Sequence, residues 1–189
     1  MRVLVVDDES LIRMDMRSIL ESQGHTIVGE GRNGVEGLEL TKEHKPDVVL
    51  MDVKMPILDG IEAARQIAFS KLAPVVLLTA YNQADLVQKA SESGVYGYLL
   101  KPVKEEQVIP TLQIAVGRFQ KDMQVVADMK SLETKLEERI LISKATGLLM
   151  KKQNITEEEA FNRIRKFSMD KGYTVAKTCE AIIKIYNKQ

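Results

Sequence analysis

The stretch Val48-Val49-Leu50-Met51-Asp52-Val53-Lys54-Met55-Pro56 constrains this chain more than any other: an apolar run ends in one aspartate, and a turn signal follows at once. A continuous run of this kind suits a strand buried on both faces of a parallel sheet. Asp52 then stands at the strand's carboxyl end, where open α/β sheets place their ligands. A carboxylate there is costly unless it is hydrated, paired or metal-bound. Taken alone, Asp52 reads as a strand-end turn residue. The ends of the other strands decide the matter.

Arg2-Val3-Leu4-Val5-Val6 is a second such run and stops at Asp7-Asp8-Glu9. From Ser10, Leu11, Ile12, Met14, Ile19 and Leu20 follow helical spacing, and Gly24 supplies a stop. His25 to Glu30 reads as a shorter strand, and Asn33-Gly34 opens a helix through Val35, Leu38 and Leu40. Asp59-Gly60 leads into a helix with Ile61, Ala64 and Ile67. Pro74 to Thr79 is a fourth buried run, ending in a hydroxyl. Gln83 to Ser93 reads as a helix, and Gly97-Tyr98-Leu99-Leu100 as a fifth strand ending in Lys101-Pro102. Strands alternating with helices at short spacing predict a doubly wound α/β fold with a five-stranded parallel sheet.

Adjacent parallel strands bring Asp7, Asp8, Asp52, Thr79 and Lys101 to one sheet edge. Carboxylates so close repel one another, and a divalent cation with hard oxygen ligands and retained water, Mg²⁺, resolves the repulsion. With the metal and Lys101 neutralising charge, Asp52 can attack a phosphoryl group and become an aspartyl phosphate. Thr79 and Lys101 then reach phosphate oxygens. Each residue also has a plain structural reading: Asp7-Asp8 as helix-dipole partners, Thr79 as a strand-end hydroxyl, Lys101 as a surface cation. Their joint placement favours the chemistry.

With these motifs, residues 1–118 resemble the receiver domain of two-component response regulators: Asp7-Asp8, Asp52 with Met55-Pro56 and Asp59-Gly60, Thr79-Ala80 and Lys101-Pro102. The resemblance implies that Asp8, Asp52 and the Lys54 carbonyl ligate Mg²⁺, with Asp7 acting through water. It implies a sensor histidine kinase as phosphodonor and a cis Lys101–Pro102 peptide. It also implies a switch in which Thr79 and Tyr98 couple phosphorylation to a surface change. A phospho-acceptor of this kind is not an enzyme beyond slow hydrolysis of its own phosphate.

From Glu105 no good helix stop appears until about Gly147; Pro110 suits a first turn, and Gly117 weakens the middle modestly. Leu112, Val116, Phe119, Met123 and Val126 alternate at spacings of four and three, the seam of a coiled coil. Val125, Met129, Leu132 and Leu136 continue it one residue out of step. Residues 119–137 are therefore expected to form a coiled-coil connector that joins two copies; the alternative is a helix packed back on its own sheet.

Residues 138–189 predict a three-helix bundle. Its first helix carries Leu141, Ala145 and Leu149, and its second opens on the capping-box signature Thr156…Glu159, with Ala160, Phe161, Ile164 and Phe167 inward. Lys171-Gly172-Tyr173 turns the chain into a last helix with Val175, Cys179 and Ile182. Ile142-Ser143-Lys144-Ala145-Thr146-Gly147-Leu148-Leu149-Met150, followed by Glu158-Glu159-Ala160-Phe161 and Ile164-Arg165, resembles the ANTAR domain, an RNA-binding output module of transcription antiterminators. That family usually has lysine where Thr146 stands, and alanine where Ser168 and Cys179 stand. The resemblance, which extends over the whole chain to antiterminators of the ethanolamine-utilisation type, implies binding to tandem RNA hairpins of leader transcripts. Candidate contacts are Lys144, Thr146, Gly147, Lys151, Arg165, Lys166 and Tyr173, with basic groups on phosphates and loop bases splayed out. The alternatives are a DNA-binding regulator with a hidden helix-turn-helix and a protein-binding output.

The charge balance agrees with two halves that meet different partners. Residues 1–118 hold 13 Lys+Arg against 17 Asp+Glu, whereas 119–189 hold 14 against 10. The single cysteine, Cys179, excludes an intrachain disulfide and reads as a small core residue. No apolar run approaches the roughly 20 residues of a membrane span, and no apolar signal region opens the chain. A cytoplasmic protein with no membrane partner is expected.

Overall fold

The computed structural model describes residues 1–80 and 94–186. The chain divides into two compact units, Met1–Met123 and Gln124–Gln189. In the first, strands β1 (Arg2–Val6), β2 (Thr26–Gly31), β3 (Val48–Asp52), β4 (Val75–Thr79) and β5 (Gly97–Leu100) form one parallel sheet in the order β2-β1-β3-β4-β5. Helices α1 (Ser10–Ser22), α2 (Gly34–His44) and α3 (Gly60–Phe69) lie between strands in sequence, and α4 (Glu105–Gln153) follows β5. The helix expected over Gln83 to Ser93 lies outside the described residues.

The continuous apolar runs are explained by burial on both sheet faces. Val3, Val5, Leu50, Val76 and Leu78 pack with Met16 and Leu20 of α1 and Val108, Leu112 and Ala115 of α4. Their neighbours Leu4, Val6, Met51, Val75 and Leu77 pack on the other face against Ala63, Ala64 and Ile67 of α3. Successive strand side chains point to opposite faces, so an unbroken apolar strand needs helices on both.

α1 buries only part of its apolar set. Ile12, Met16, Ile19 and Leu20 pack inward, while Leu11 and Met14 are exposed. Met14 stands roughly 200° round the helix from Met16, too far to share its stripe. α3 starts as the sequence indicates: the Asp59 carboxylate accepts from the Glu62 amide at 2.8 Å. The next residue must be glycine, because a Cβ on Gly60 would lie 1.8 Å from the Asp52 carbonyl oxygen.

α4 continues from the first unit into the second, through Gly147, to Gln153. Pro110 sits one turn deeper than the expected first turn, so the Glu106 carbonyl loses its usual intrahelical amide. The helix persists there because Val108 and Leu112 on either side are fully buried. The first expected seam divides: Leu112 and Val116 pack on the chain's own sheet, and the Phe119 ring meets Tyr96 edge to face at 5.5 Å. From Val125 the second seam is exposed at Met129, Leu132, Leu136 and Ile140. The one-residue slip marks the change from internal packing to a bare stripe.

In the second unit the end of α4 packs with α5 (Glu157–Lys171) and α6 (Val175–Tyr186). The capping box is formed: Thr156 Oγ1 accepts from the Glu159 amide at 3.3 Å, and the Glu159 carboxylate accepts from the Thr156 amide at 2.9 Å. Gly172 ends α5 at φ 66°, the left-handed C-cap that glycine adopts without strain. Ala145, Ala160 and Cys179 have no exposed surface, and such small residues let helices approach closely. Ser168 Oγ donates to the Ile164 carbonyl at 2.8 Å and shares a 2.8 Å hydrogen bond with Thr178 Oγ1, so the polar swap at Ser168 is satisfied.

Two expectations are corrected here. Phe161 and Phe167 are not in the core: α5 buries Ala160, Ile164 and Ser168, spaced by four, and both rings are partly exposed. Thr146 is not a surface residue. It is 4% exposed, and its Oγ1 has no hydrogen-bond partner among the described residues.

Gly60→Ala is expected to destabilise the protein by about 3 kcal/mol, the upper end for overpacking against backbone. Gly117→Ala, where a Cβ meets nothing within 4 Å, is expected to stabilise it by about 1 kcal/mol. Urea unfolding of the two variants checks the contrast. The same measurement on Thr146→Val, which removes an unpaired buried hydroxyl at nearly constant shape, should show a gain of about 1 kcal/mol.

Candidate phosphoryl-acceptor site and basic output unit

The strand ends converge as the sequence predicts for Asp7, Asp52, Thr79 and Lys101. Asp7 directly follows β1 and is fully buried, Asp52 closes β3 at 5% exposure, and Thr79 closes β4 and is also buried. Lys101 follows β5, and its amide donates to the Thr79 carbonyl at 2.8 Å, fixing the two strand ends together. The Lys101–Pro102 peptide is cis.

The lysine ammonium stands 2.7 Å from Asp52 Oδ1 and 2.8 Å from Asp7 Oδ2, with Glu9 at 3.9 Å. The remaining oxygens are held by backbone: Asp52 Oδ2 accepts from the Lys54 amide at 2.8 Å, and Asp7 Oδ1 from the Glu9 amide at 2.9 Å. Both carboxylates are thus oriented by amides and joined by one cation. Burial pushes the Asp52 carboxyl above its ordinary range; Lys101 pulls it down and Asp7 raises it further. Burial works against the Lys101 charge, but the hydrogen bonds it donates to Asp52 and Asp7 outweigh it and hold its pKa above the usual value.

Asp8 and Glu9 are exposed at the rim. Sequence reasoning missed Arg13, one turn into α1. Its Nη1 donates to the Asp7 carbonyl at 2.7 Å while its Nε pairs with Glu30 at 3.2 Å, which fixes the backbone of the acidic pair. Tyr98, the proposed switch residue, is half exposed on β5.

The site carries more negative charge than Lys101 neutralises, and its donors are hard oxygens. Among the described residues no three His, Cys, Asp or Glu side chains are arranged to hold a metal by themselves. Mg²⁺ does not require such a cage, since it takes one or two carboxylates and keeps several waters. The residues present fit that ion.

In the second unit Lys144, Lys151, Arg165 and Lys166 are exposed. Lys144, Gly147 and Lys151 share one side of α4 by their spacing of three and four. Gly147 has open space where a Cβ would stand. Tyr173 is half exposed, and the Lys177 ammonium lies 4.8 Å from its ring centroid, a cation–π contact that the sequence did not single out. Among the described residues no helix is long and apolar enough to cross a membrane.

This geometry agrees with the comparisons. Residues 3–113 match the response regulator receiver domain, and residues 130–183 match the ANTAR domain. Over 183 residues the chain is 43% identical to the transcriptional regulatory protein PdtaR of Mycobacterium tuberculosis, covering 97% of this chain and 89% of that protein. The response regulator domain of Thermotoga maritima CheB is similar at 30% identity and TM-score 0.58, over 62% of this chain and 96% of that one. A chain of the CheX–CheY–BeF3–Mg²⁺ complex from Borrelia burgdorferi is similar at 28% identity and TM-score 0.56, over 59% and 85%. The shared receiver core and the whole-length relative lead to one conclusion: this chain belongs to the response regulators, with a receiver domain followed by an ANTAR domain.

Proposed function

We propose that a sensor histidine kinase phosphorylates this chain on Asp52, and that the modified protein dimerises and binds tandem RNA hairpins to prevent transcription termination. The observation that carries the first step is the Lys101 ammonium bridging Asp52 and Asp7 at the sheet edge. A carboxylate oxygen of Asp52 attacks phosphorus. The P–O bond forms as the P–N bond of the kinase's phosphohistidine breaks, and the imidazole nitrogen keeps the electron pair. Lys101 turns part of its charge from the carboxylates to a phosphoryl oxygen, and Thr79 donates its hydroxyl to another. Asp8, Asp52 and the Lys54 carbonyl are the proposed Mg²⁺ ligands, with Asp7 acting through water. When bound, the ion supplies positive charge that offsets the repulsion between carboxylate and phosphate. Tyr98 and Thr79 pass the change to the surface. Apart from slow loss of its own phosphate, the chain has no enzymatic role in this scheme.

The domain limits we assign are 1–118 for the receiver, 119–137 for the connector and 138–189 for the RNA-binding output, acting in the cytoplasm. The exposed stripe Val125, Met129, Leu132 and Leu136 supports a dimer, because its four-three spacing is that of a coiled-coil seam. Lys144, Lys151, Arg165 and Lys166 are the proposed phosphate contacts, with Gly147 allowing close backbone approach and Tyr173 offering a stacking face. Thr146, being buried, is withdrawn from that set.

Binding of a labelled tandem-hairpin leader RNA is expected to tighten with a small phosphodonor plus Mg²⁺, and Asp52→Ala should abolish the gain. Equal displacement by duplex DNA would show a DNA-binding output instead. Lys101→Met should slow formation of the acyl phosphate by about 100-fold, the scale of losing one preorganised charge. Radiolabel transfer from phosphorylated kinase to the variant measures it.

A further inference from the structure

The second unit holds a cavity of about 310 Å³ lined by α5, α6 and Leu149 of α4, open at the edge of the core. Its floor is apolar: Leu149, Ile164 and Ile182. Phe167, 49% exposed, and Ile185, 63% exposed, stand at its walls, so the opening is a bare apolar rim on a unit otherwise rich in lysine and arginine. Phe167 lies on the edge of the α5 buried stripe, one turn after Ile164, and lines the cavity.

Polar groups converge on the same opening. Arg163 and Tyr186 both line the cavity. Gln153 joins them: its carbonyl oxygen accepts from Arg163 Nη1, and its amide nitrogen donates to the Tyr186 hydroxyl at 3.4 Å. Arg163 makes no salt bridge among the described residues. The acid nearest in sequence, Glu159, is engaged in the capping box with Thr156. The guanidinium also acts electrostatically on Glu159, and it is exposed, open to a further partner.

An apolar slot with an aromatic wall, an arginine and an amide at the mouth is the chemistry that holds a nucleobase splayed from its strand. The ring stacks on aromatic and guanidinium planes, its edge meets amide donors and acceptors, and the following phosphate meets the cation. The volume lies at the small end for a ligand pocket and admits one base rather than a folded segment. We propose that this cavity receives a single unpaired base of the bound RNA, with Phe167 and Arg163 as its stacking and phosphate contacts. The proposal rests on the RNA-binding reading above and adds a site that the basic residues alone do not supply.

The test is a thermodynamic cycle on the full-length phosphorylated protein with the labelled tandem-hairpin leader RNA. Loop nucleotides are replaced one at a time by abasic sites, and each RNA is titrated against the native chain and against Ala181→Leu. Ala181 lines the cavity and is exposed, so a leucine there fills space without disturbing the core. The expected result is one loop position whose abasic form binds the native chain about tenfold or more weakly and binds A181L within about twofold of the intact RNA. Should the leucine disturb folding, Phe167→Ala, at an exposed wall, reads the same cycle. If every abasic RNA costs the variant as much as the native chain, the base does not enter the cavity; the proposal is overturned, and the slot has another occupant, such as an apolar peptide. If the native chain binds no hairpin RNA in either phosphorylation state, the RNA-binding reading itself fails, an outcome distinct from the previous one.

Discussion

One cation shared by two buried carboxylates organises the first unit. Removing Asp7 and Asp52 from water is costly, and Lys101 offsets that cost only because each carboxylate also accepts a backbone amide. The sheet order makes the arrangement possible. β1 and β3 are neighbours, paired from Val3↔Val48 to Val6↔Met51, so their terminal aspartates emerge side by side. β5 lies beyond β4, roughly 10 Å from β3 at ordinary strand spacing, a gap that a long, flexible lysine stem can span. The residual negative charge is what leaves a place for a hard divalent cation.

The long helix shows that one periodicity serves two purposes. Up to Phe119 its apolar side packs on the sheet of its own chain, and from Val125 the same four-three spacing faces solvent. A slip of one residue shifts the apolar stripe by about 100°, and Val125 and Val126, one from each register, are both exposed. The packed-helix reading describes α4 up to Phe119, and beyond it the apolar positions from Val125 are exposed.

Most of the sheet and the acceptor site were legible because their signals are local. An apolar run of five residues followed by Asp, Thr or Lys fixes both the strand and the position of its terminal side chain. Asp59 and Thr156 announced helix starts through their own hydrogen-bonding chemistry. What stayed hidden depends on neighbours. Spacing identified Leu11, Met14, Phe161 and Phe167 as apolar and helical, but which side of a helix meets the core depends on where the next helix lies. Thr146 looked like a polar surface residue because nothing in its vicinity shows that Ala145, Leu149 and Ala160 close over that turn. Arg13 was missed because its task is to hold the backbone carbonyl of Asp7, and no motif records such a contact.

The contacts of β5 suggest how a charge placed on Asp52 reaches the helix. A phosphoryl group there competes for Lys101, which follows β5 directly and is tied by its amide to Thr79. At the other end of the same strand, Tyr96 donates its hydroxyl to Asp122 at 3.0 Å and packs its ring on Phe119, both on α4. Burial and the Asp122 carboxylate raise the Tyr96 pKa, which keeps the phenol a neutral donor. This short strand carries the lysine at one end and a helix anchor at the other, and its ladder to β4 runs from Val76↔Gly97 to Thr79↔Leu100. The Lys101 end of the site and the α4 contacts at Phe119 and Asp122 thus flank one short strand, just before the residues where the exposed stripe begins.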